Sequence, residues 1–469
     1  MLRAKLVLVL VLLLLLLLLA ACPIGGEELQ PHDQMADVGL SRSFGSDPAS
    51  QWWLDARDRA GMVAITVANM PVPGFCRLAA SAMIQGVPLT VLNWNQTLPP
   101  SMASQHGRRQ GWQLLKYKSL LSSLRPSLPL DAAAARRRQG EGDLVVFVDG
   151  FDTFFVNDAA SLVKAFLYNG DANNSAAVSA PSREPPRNAV RGNYKYNKNP
   201  RERLVMSAEC NKSPASIDYG SRGEGSELNF VNSGFLVGSV DAVRELSAFI
   251  DGALEHLGTS LCPDGTSQST FSAKAFVRPS SGLKRLRRTG ASAMDLGRGA
   301  AEEVVKTLRC SGLPGVSDQL FAHYAYLLGV ANVTLDKRAA LCLNMFSCNR
   351  RGRLGFSPEG AVDVPLFSRT GRVSVRALQV DRRKAHAAAP QVHPGVIHAN
   401  GNRKFLHWEQ GIARALSSNA EWRSGCVRAV GPGVGDNDRC RSFAELGCNP
   451  SSLVLCDPAT IGCKLSSSR

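Results

Sequence analysis

Leu144 to Val156 reads LVVFVDGFDTFFV, and this stretch decides the fold. Five apolar residues, Leu144 to Val148, run without a break and are rich in Val. That pattern suits a strand buried on both faces of a parallel sheet. Asp149 follows directly, which places a carboxylate at the C-terminal end of the strand, where open α/β sheets bind ligands. Asp152 lies across Gly150, three residues on, so both carboxylates can turn toward one point in a tight bend. Two hard oxygen ligands at this spacing suit Mg²⁺ or Mn²⁺ holding a diphosphate. The plainer reading is a strand-to-turn junction, since Asp is a good turn residue.

On the N-terminal side, Met62 to Ala68 (MVAITVA) reads as a first buried strand and Leu89 to Leu92 as a second. Between them Phe75 to Gln85 reads as a helix with Leu78, Ala79, Ala82 and Met83 as its apolar stripe, ended by Gly86. Strand, helix, strand is the start of a parallel α/β unit. Trp112 to Leu121 reads as a helix carrying Lys116 and Lys118, and residues 125–143 as a linker.

On the C-terminal side, Ala159 to Leu167 is a helix and residues 169–203 a surface insertion rich in Asn, Pro, Arg and Lys. Leu204 to Ala208 returns as a strand leading into Glu209. Leu228 to Gly238 (LNFVNSGFLVG) reads as a strand or strand pair, bent at Asn232-Ser233-Gly234. A helix follows at Asp241 to Gly252, then a second insertion over residues 258–315. Ser317 can cap a helix from Asp318 to Leu328. Val333 to Leu335 is a short strand, and Val396 to Gly401 (VIHANG) an apolar step into a polar turn.

Length, 469 residues, allows two to four domains, and an apolar fraction of 44% is ordinary for a globular chain. The formal charge of +15 rests mostly on loop residues such as Arg136 to Arg138. No aromatic-basic ribbon or zinc-finger spacing accompanies it, which argues against a nucleic-acid partner. The charge reads first as solvated loop surface and second as attraction for anionic ligands such as nucleotide sugars.

Arg3 and Lys5 precede sixteen uncharged residues, Leu6 to Ala21. Residues 1–22 therefore read as a signal peptide or a short signal-anchor, with a bacterial lipoprotein signal at Leu19 to Cys22 as a minor reading. A membrane is expected only through such an anchor. Residues 23–60 read as a stem or linker. Four Asn-X-Ser/Thr sequons, at Asn95, Asn173, Asn211 and Asn332, and twelve cysteines fit an oxidising secretory lumen. Five of those cysteines, from Cys426 to Cys463, crowd into the last 44 residues, so residues 421–469 read as a small disulfide-stapled appendage to a domain spanning 61–420.

In order, these motifs resemble the glycosyltransferase domain of the procollagen lysyl hydroxylases. The similar stretches are ITVA at Ile65 to Ala68, LVVFVDGFD at Leu144 to Asp152, MSAE at Met206 to Glu209, LNFVNSGFLVG at Leu228 to Gly238, SDQLF at Ser317 to Phe321, and VIHANG with Lys404. They span Val63 to about Trp408. The resemblance implies a glycosyltransferase-A-like α/β fold, a mixed, mostly parallel sheet flanked by helices. It implies a Mn²⁺ held by Asp149, Asp152 and His398. Asn400, Gly401 and Lys404 would face the donor diphosphate, and Thr66 and Val67 would sit beside the uracil. Asp318 would lie near the sugar, Asn232 would offer an amide to sugar hydroxyls, and Glu209 would stand in the cleft. The family has a run of acidic residues where this chain has only Ser317-Asp318.

The expected activity is metal-dependent transfer of a hexose from UDP-galactose or UDP-glucose, without lysine hydroxylation. The expected acceptor is a hydroxylated side chain, or a sugar already attached to one, on a secreted, collagen-like protein or glycopeptide. The alternative is a secreted sugar- or polyanion-binding protein that kept the fold and lost turnover. Taken singly, the same residues have plainer readings: a loop histidine, a solvated lysine, an early helix Asp favoured by the dipole, a surface turn Glu.

Overall fold

The computed structural model describes residues 48–124, 144–168, 203–209, 230–259, 291–308, 318–344, 355–356, 375–378, 391–392, 394–398, 425–431 and 439–448. The leader expected over 1–22 lies outside these residues, as do the linker 125–143, most of the insertion 169–203, and Asn400, Gly401 and Lys404.

Pro48–Ala60 (α1) leads into Met62–Val67 (β1), Pro73–Ile84 (α2), Leu89–Leu92 (β2), Pro100–Ser123 (α3) and Leu144–Val148 (β3). Then come Thr153–Phe155 (β4), Ala159–Tyr168 (α4), Leu204–Glu209 (β5), Phe230–Ser239 (β6) and Val240–Thr259 (α5). Ala293–Leu308 (α6), Asp318–Leu328 (α7), Val333–Asp336 (β7), Cys342–Asn344 (β8), Gly355–Phe356 (β9), Val375–Leu378 (β10), Gln391–Val392 (β11), Val396–His398 (β12), Val427–Val430 (β13) and Arg439–Arg441 (β14) complete the order.

The main sheet runs β14-β13-β2-β1-β3-β6-β5-β7. β1 pairs in parallel with β2 and β3, β2 with β13, and β5 with β7, whereas β6 runs antiparallel to both its neighbours and β14 antiparallel to β13. The result is a mixed, mostly parallel α/β sheet.

β3 sits inside it as its apolar run requires. Val146 and Val148 face a core shared with α2 and α4, and Val145 and Phe147 face a second core shared with α3, α5 and α7. Alternation along the strand puts the two sets on opposite faces. Two small sheets, β4-β12-β8 and β11-β10-β9, are separate from it.

Three expectations are corrected here. The stem does not extend to residue 60. Trp53 is fully buried, its indole N–H donates to the Leu89 carbonyl at 3.0 Å, and α1 packs on the sheet through it. Trp53 is the only large apolar side chain of α1 that is fully buried, with Trp52 and Leu54 only partly covered, so its apolar periodicity is faint in the sequence. The insertion 258–315 contains α6, whose Ala300, Ala301 and Val304 pack into the core that α5 lines. Small residues make that contact close: a Cβ on Gly297 would stand 2.4 Å from the Glu245 carbonyl oxygen.

Finally, residues 425–431 and 439–448 are not an appendage. β13 extends the parallel sheet beside β2, and a disulfide joins Cys426 to Cys440 across the β13–β14 hairpin. A second disulfide joins Cys448 to Cys76 on α2. Val427 and Ala429 are fully buried although the segment is short, because the sheet already provides the core they complete. The cysteines staple this strand pair onto the domain rather than replacing a missing core. Cys456 and Cys463 lie outside the described residues.

Candidate metal centre and its carboxylate cluster

The apolar run ends at Val148, and Asp149 is the first polar residue beyond the strand. The backbone N–H of Asp149 still donates to the Gly234 carbonyl of β6 at 2.9 Å, so the carboxylate starts from a fixed main chain. The turn that follows is tight. A Cβ on Gly150 would lie 2.7 Å from the Val67 carbonyl oxygen, which excludes any larger residue there. The Thr153 hydroxyl donates back to the Asp149 carbonyl and closes the turn, so that Asp152 stands at the start of β4.

β4 then pairs antiparallel with β12, setting Thr153 opposite His398. Register alone therefore carries His398 to Asp152 across the small sheet. His398 Nε2 is 3.2 Å from Asp152 Oδ1 and 3.9 Å from Asp149 Oδ2. One ligand atom from each of the three residues lies within 4.8 Å of the others, so the group could hold a metal ion. Two carboxylate oxygens and one imidazole nitrogen suit Mn²⁺ but accommodate other divalent transition metals as well. The metal's identity is not set by these ligands.

The imidazole is buried, with 3% of its surface exposed. Burial lowers its pKa, but the hydrogen bond and charge of Asp152 and the charges of Asp149 and Glu209 more than offset that, and the net shift is upward. The same negative field that holds a proton there would hold a cation in its place. The nearby Cys342 contributes no thiolate, because burial pushes its pKa well up.

Around this group the remaining carboxylates form one bonded network. Lys116, on α3, places its ammonium 2.9 Å from Asp149 Oδ1 and 3.0 Å from Asp318 Oδ2. Asp149 thus gives one oxygen to Lys116 and turns the other toward His398. Burial lowers the Lys116 pKa, yet Asp149 and Asp318 outweigh it and hold the value well above that of an ordinary lysine, so the side chain stays charged. Its ammonium also lies 4.7 Å from the centre of the Phe147 ring.

Asp318 opens α7, where its Oδ1 accepts the Gln319 backbone N–H at 2.9 Å and the Gln113 amide at 3.4 Å. Gln113 and Lys116 are three apart on one face of α3, which is why one helix reaches Asp318 twice.

Gln319 ties this cluster to the bulge in β6. The register with β5 shifts between Met206, paired with Leu236, and Ser207, paired with Asn232, which leaves Ser233, Gly234 and Phe235 unpaired on that side. The expected bend is this bulge within one continuous strand. It points Ser233 at Gln319, whose Oε1 accepts the Ser233 N–H at 2.8 Å and its hydroxyl at 2.9 Å. The Gln319 amide donates to Glu209 Oε1 at 3.0 Å, and the Asn232 amide to Glu209 Oε2 at 3.1 Å. Asn232 Oδ1 in turn accepts the Gly234 N–H at 2.8 Å.

The structure therefore brings together Asp149, Asp152, His398, Asp318, Glu209 and Asn232. It does not bring Thr66 into the same network: that side chain is fully buried and its hydroxyl donates to the Val148 carbonyl at 2.8 Å. Val67, half-buried, ends β1 beside Gly150. Trp94 packs against Phe75, ring centres 4.9 Å apart, as a core residue.

Sequence reasoning passed over Lys116 as a helix residue, and did not single out Gln113, Gln319 or Asn344. A polar pair at i and i+3 on α3 was the only local signal for the first two contacts to Asp318. No family model matches this chain, and no curated protein matches it.

Proposed function

We propose that the protein is a metal-dependent glycosyltransferase of the secretory pathway. It would move a hexose from UDP-galactose or UDP-glucose to a hydroxylated side chain, or to a sugar attached to one, on a secreted protein. The observation that carries this reading is the convergence of Asp149, Asp152 and His398 at the C-terminal end of the central strand. The mixed, mostly parallel sheet agrees with the glycosyltransferase-A-like expectation. Two disulfides among the described residues are compatible with a secreted or lumenal protein. No helix among those residues is long and apolar enough to cross a membrane.

A divalent cation at this group, Mn²⁺ on the family resemblance, would neutralise the leaving diphosphate as a Lewis acid. The chain's own residues do the rest. On the family resemblance, Asn400, Gly401 and Lys404, which come soon after β12 in the sequence, would face the diphosphate. Glu209 is held by two amide donors, and Asp318 by Lys116 and Gln113, so both carboxylates keep fixed positions beside the metal ligands. Either carboxylate can accept the proton of the attacking hydroxyl.

The test is release of UDP from UDP-galactose and UDP-glucose, with and without Mn²⁺, since transferases commonly leak their donor to water. Mn²⁺-dependent release that disappears in Asp149→Asn is expected. If neither UDP-hexose binds or turns over in the presence of Mn²⁺, the reading fails. Tight binding without turnover would favour the sugar-binding alternative.

A further inference from the structure

We propose that Asn344 is a positioning residue for the metal centre, fixing the His398 imidazole so that the Nε2 lone pair faces Asp149 and Asp152. The inference rests on the metal reading of the Asp149–Asp152–His398 group and is independent of the reaction assigned to it. Asn344 ends β8, which pairs in parallel with β12, and the register sets Asn344 beside His398. Its side chain is 3% exposed. Its Nδ2 donates to the Ala208 carbonyl of β5 at 2.9 Å, and its Oδ1 lies 2.7 Å from His398 Nδ1.

Hydrogen-bond logic assigns the direction. A backbone carbonyl can only accept, so the amide nitrogen of Asn344 faces Ala208 and the amide oxygen faces the ring. An amide oxygen can only accept, so Nδ1 of His398 carries a hydrogen. The neutral ring then has its lone pair on Nε2, the nitrogen 3.2 Å from Asp152. The chain Ala208, Asn344, His398 thereby ties the small sheet to the main one and fixes both ring angle and tautomer. Outer partners of this kind typically change metal affinity about 10–100-fold when removed. Beside Cε1, Gly234 leaves no free space: a Cβ there would stand 2.2 Å from that carbon. With Gly234 on one side and Asn344 holding Nδ1, the ring has one productive orientation.

The experiment is a Mn²⁺ titration of the full chain, with free Mn²⁺ read by its paramagnetic resonance signal. Wild type is compared with Asn344→Leu, which keeps volume and loses the amide, and Asn344→Asp, which keeps an acceptor for Nδ1–H. The expected result is affinity about 10–100-fold weaker in Asn344→Leu and recovery toward wild type in Asn344→Asp. A folded Asn344→Leu with wild-type affinity overturns the proposal, and so does an Asn344→Asp that loses as much as Asn344→Leu.

A second measurement needs no variant of Asn344. Long-range ¹H–¹⁵N spectra of histidine-labelled protein with diamagnetic Zn²⁺ should show His398, assigned by its loss in His398→Ala, protonated at Nδ1 and bound through Nε2. The reverse tautomer overturns the proposal. Absence of divalent-cation binding in wild type overturns both the metal centre and the role of Asn344. Donor hydrolysis enters neither measurement, so failure of the transferase reading is read separately.

Discussion

Gly234→Ala is a one-carbon change that crowds the candidate metal centre. An alanine Cβ at this position would lie 2.2 Å from His398 Cε1, 2.7 Å from Nε2 and 2.8 Å from Nδ1. Ordinary contact begins at 3.4 Å, so the ring must retreat by about 1.2 Å, or the strand must. The ring is held at Nδ1 by Asn344 at 2.7 Å, and the strand is held by the Asp149 N–H on the Gly234 carbonyl at 2.9 Å. Relief by either route therefore displaces a candidate metal ligand, His398 in one case and Asp149 in the other. Misplacement by about 1 Å at a reacting centre can cost about 100-fold in rate. A loss of about 10–100-fold in Mn²⁺ affinity, about 1.4–2.8 kcal/mol, is expected, together with about 1–3 kcal/mol of stability from overpacking. Titration with Mn²⁺ and thermal unfolding by circular dichroism measure the two effects. A folded Gly234→Ala protein that binds Mn²⁺ like wild type would show that His398 is not a ligand in the geometry described.

Three further outcomes are expected. Asp251 is buried on α5 with Oδ1 unpaired, and burial pushes its pKa from 3.8 to about 6. A raised carboxyl pKa contributes stability that is present below pH 3.8 and lost as the pH rises through about 6. Asp251→Asn should therefore match wild type near pH 3.8 and exceed it by about 3 kcal/mol above pH 6, measured by denaturant unfolding at both pH values. An unchanged difference across that window would mean Asp251 is solvated. Lys116→Met leaves Asp149 and Asp318 without their shared cation, which should destabilise the protein by about 3 kcal/mol at neutral pH. Added Mn²⁺ should raise the melting temperature of this variant more than that of wild type, and an equal rise in both would count against the shared-charge account. Truncation after residue 420 removes β13, β14 and the partner of Cys76, which uncovers β2 along its length. The truncated chain should be insoluble or melt far below wild type, and a stable, monomeric product would show that the sheet ends at β2.

Much of this architecture was legible in local pattern. Leu144 to Val148 is an unbroken apolar run and is buried on both faces, and Asp318 to Leu328, read as a helix behind Ser317, is a helix with those bounds. Asp149 and Asp152 were legible as a pair because only two residues, one of them a glycine, separate them. Their third partner was reached only through likeness to a family, because nothing local joins position 149 to position 398.

The structure decided what depends on register between distant strands. Pairing of β4 with β12 sets His398 against Asp152, and pairing of β12 with β8 sets Asn344 behind it. It also placed Lys116 between two carboxylates and drew β13 and β14 into the sheet. Hydrophobic periodicity reports which face of an element is buried, and it is silent on which element does the burying. The tail shows the difference most plainly. Val427 and Ala429 are too few to build a core, but they suffice to finish one, and only the folded chain contains the strand they finish.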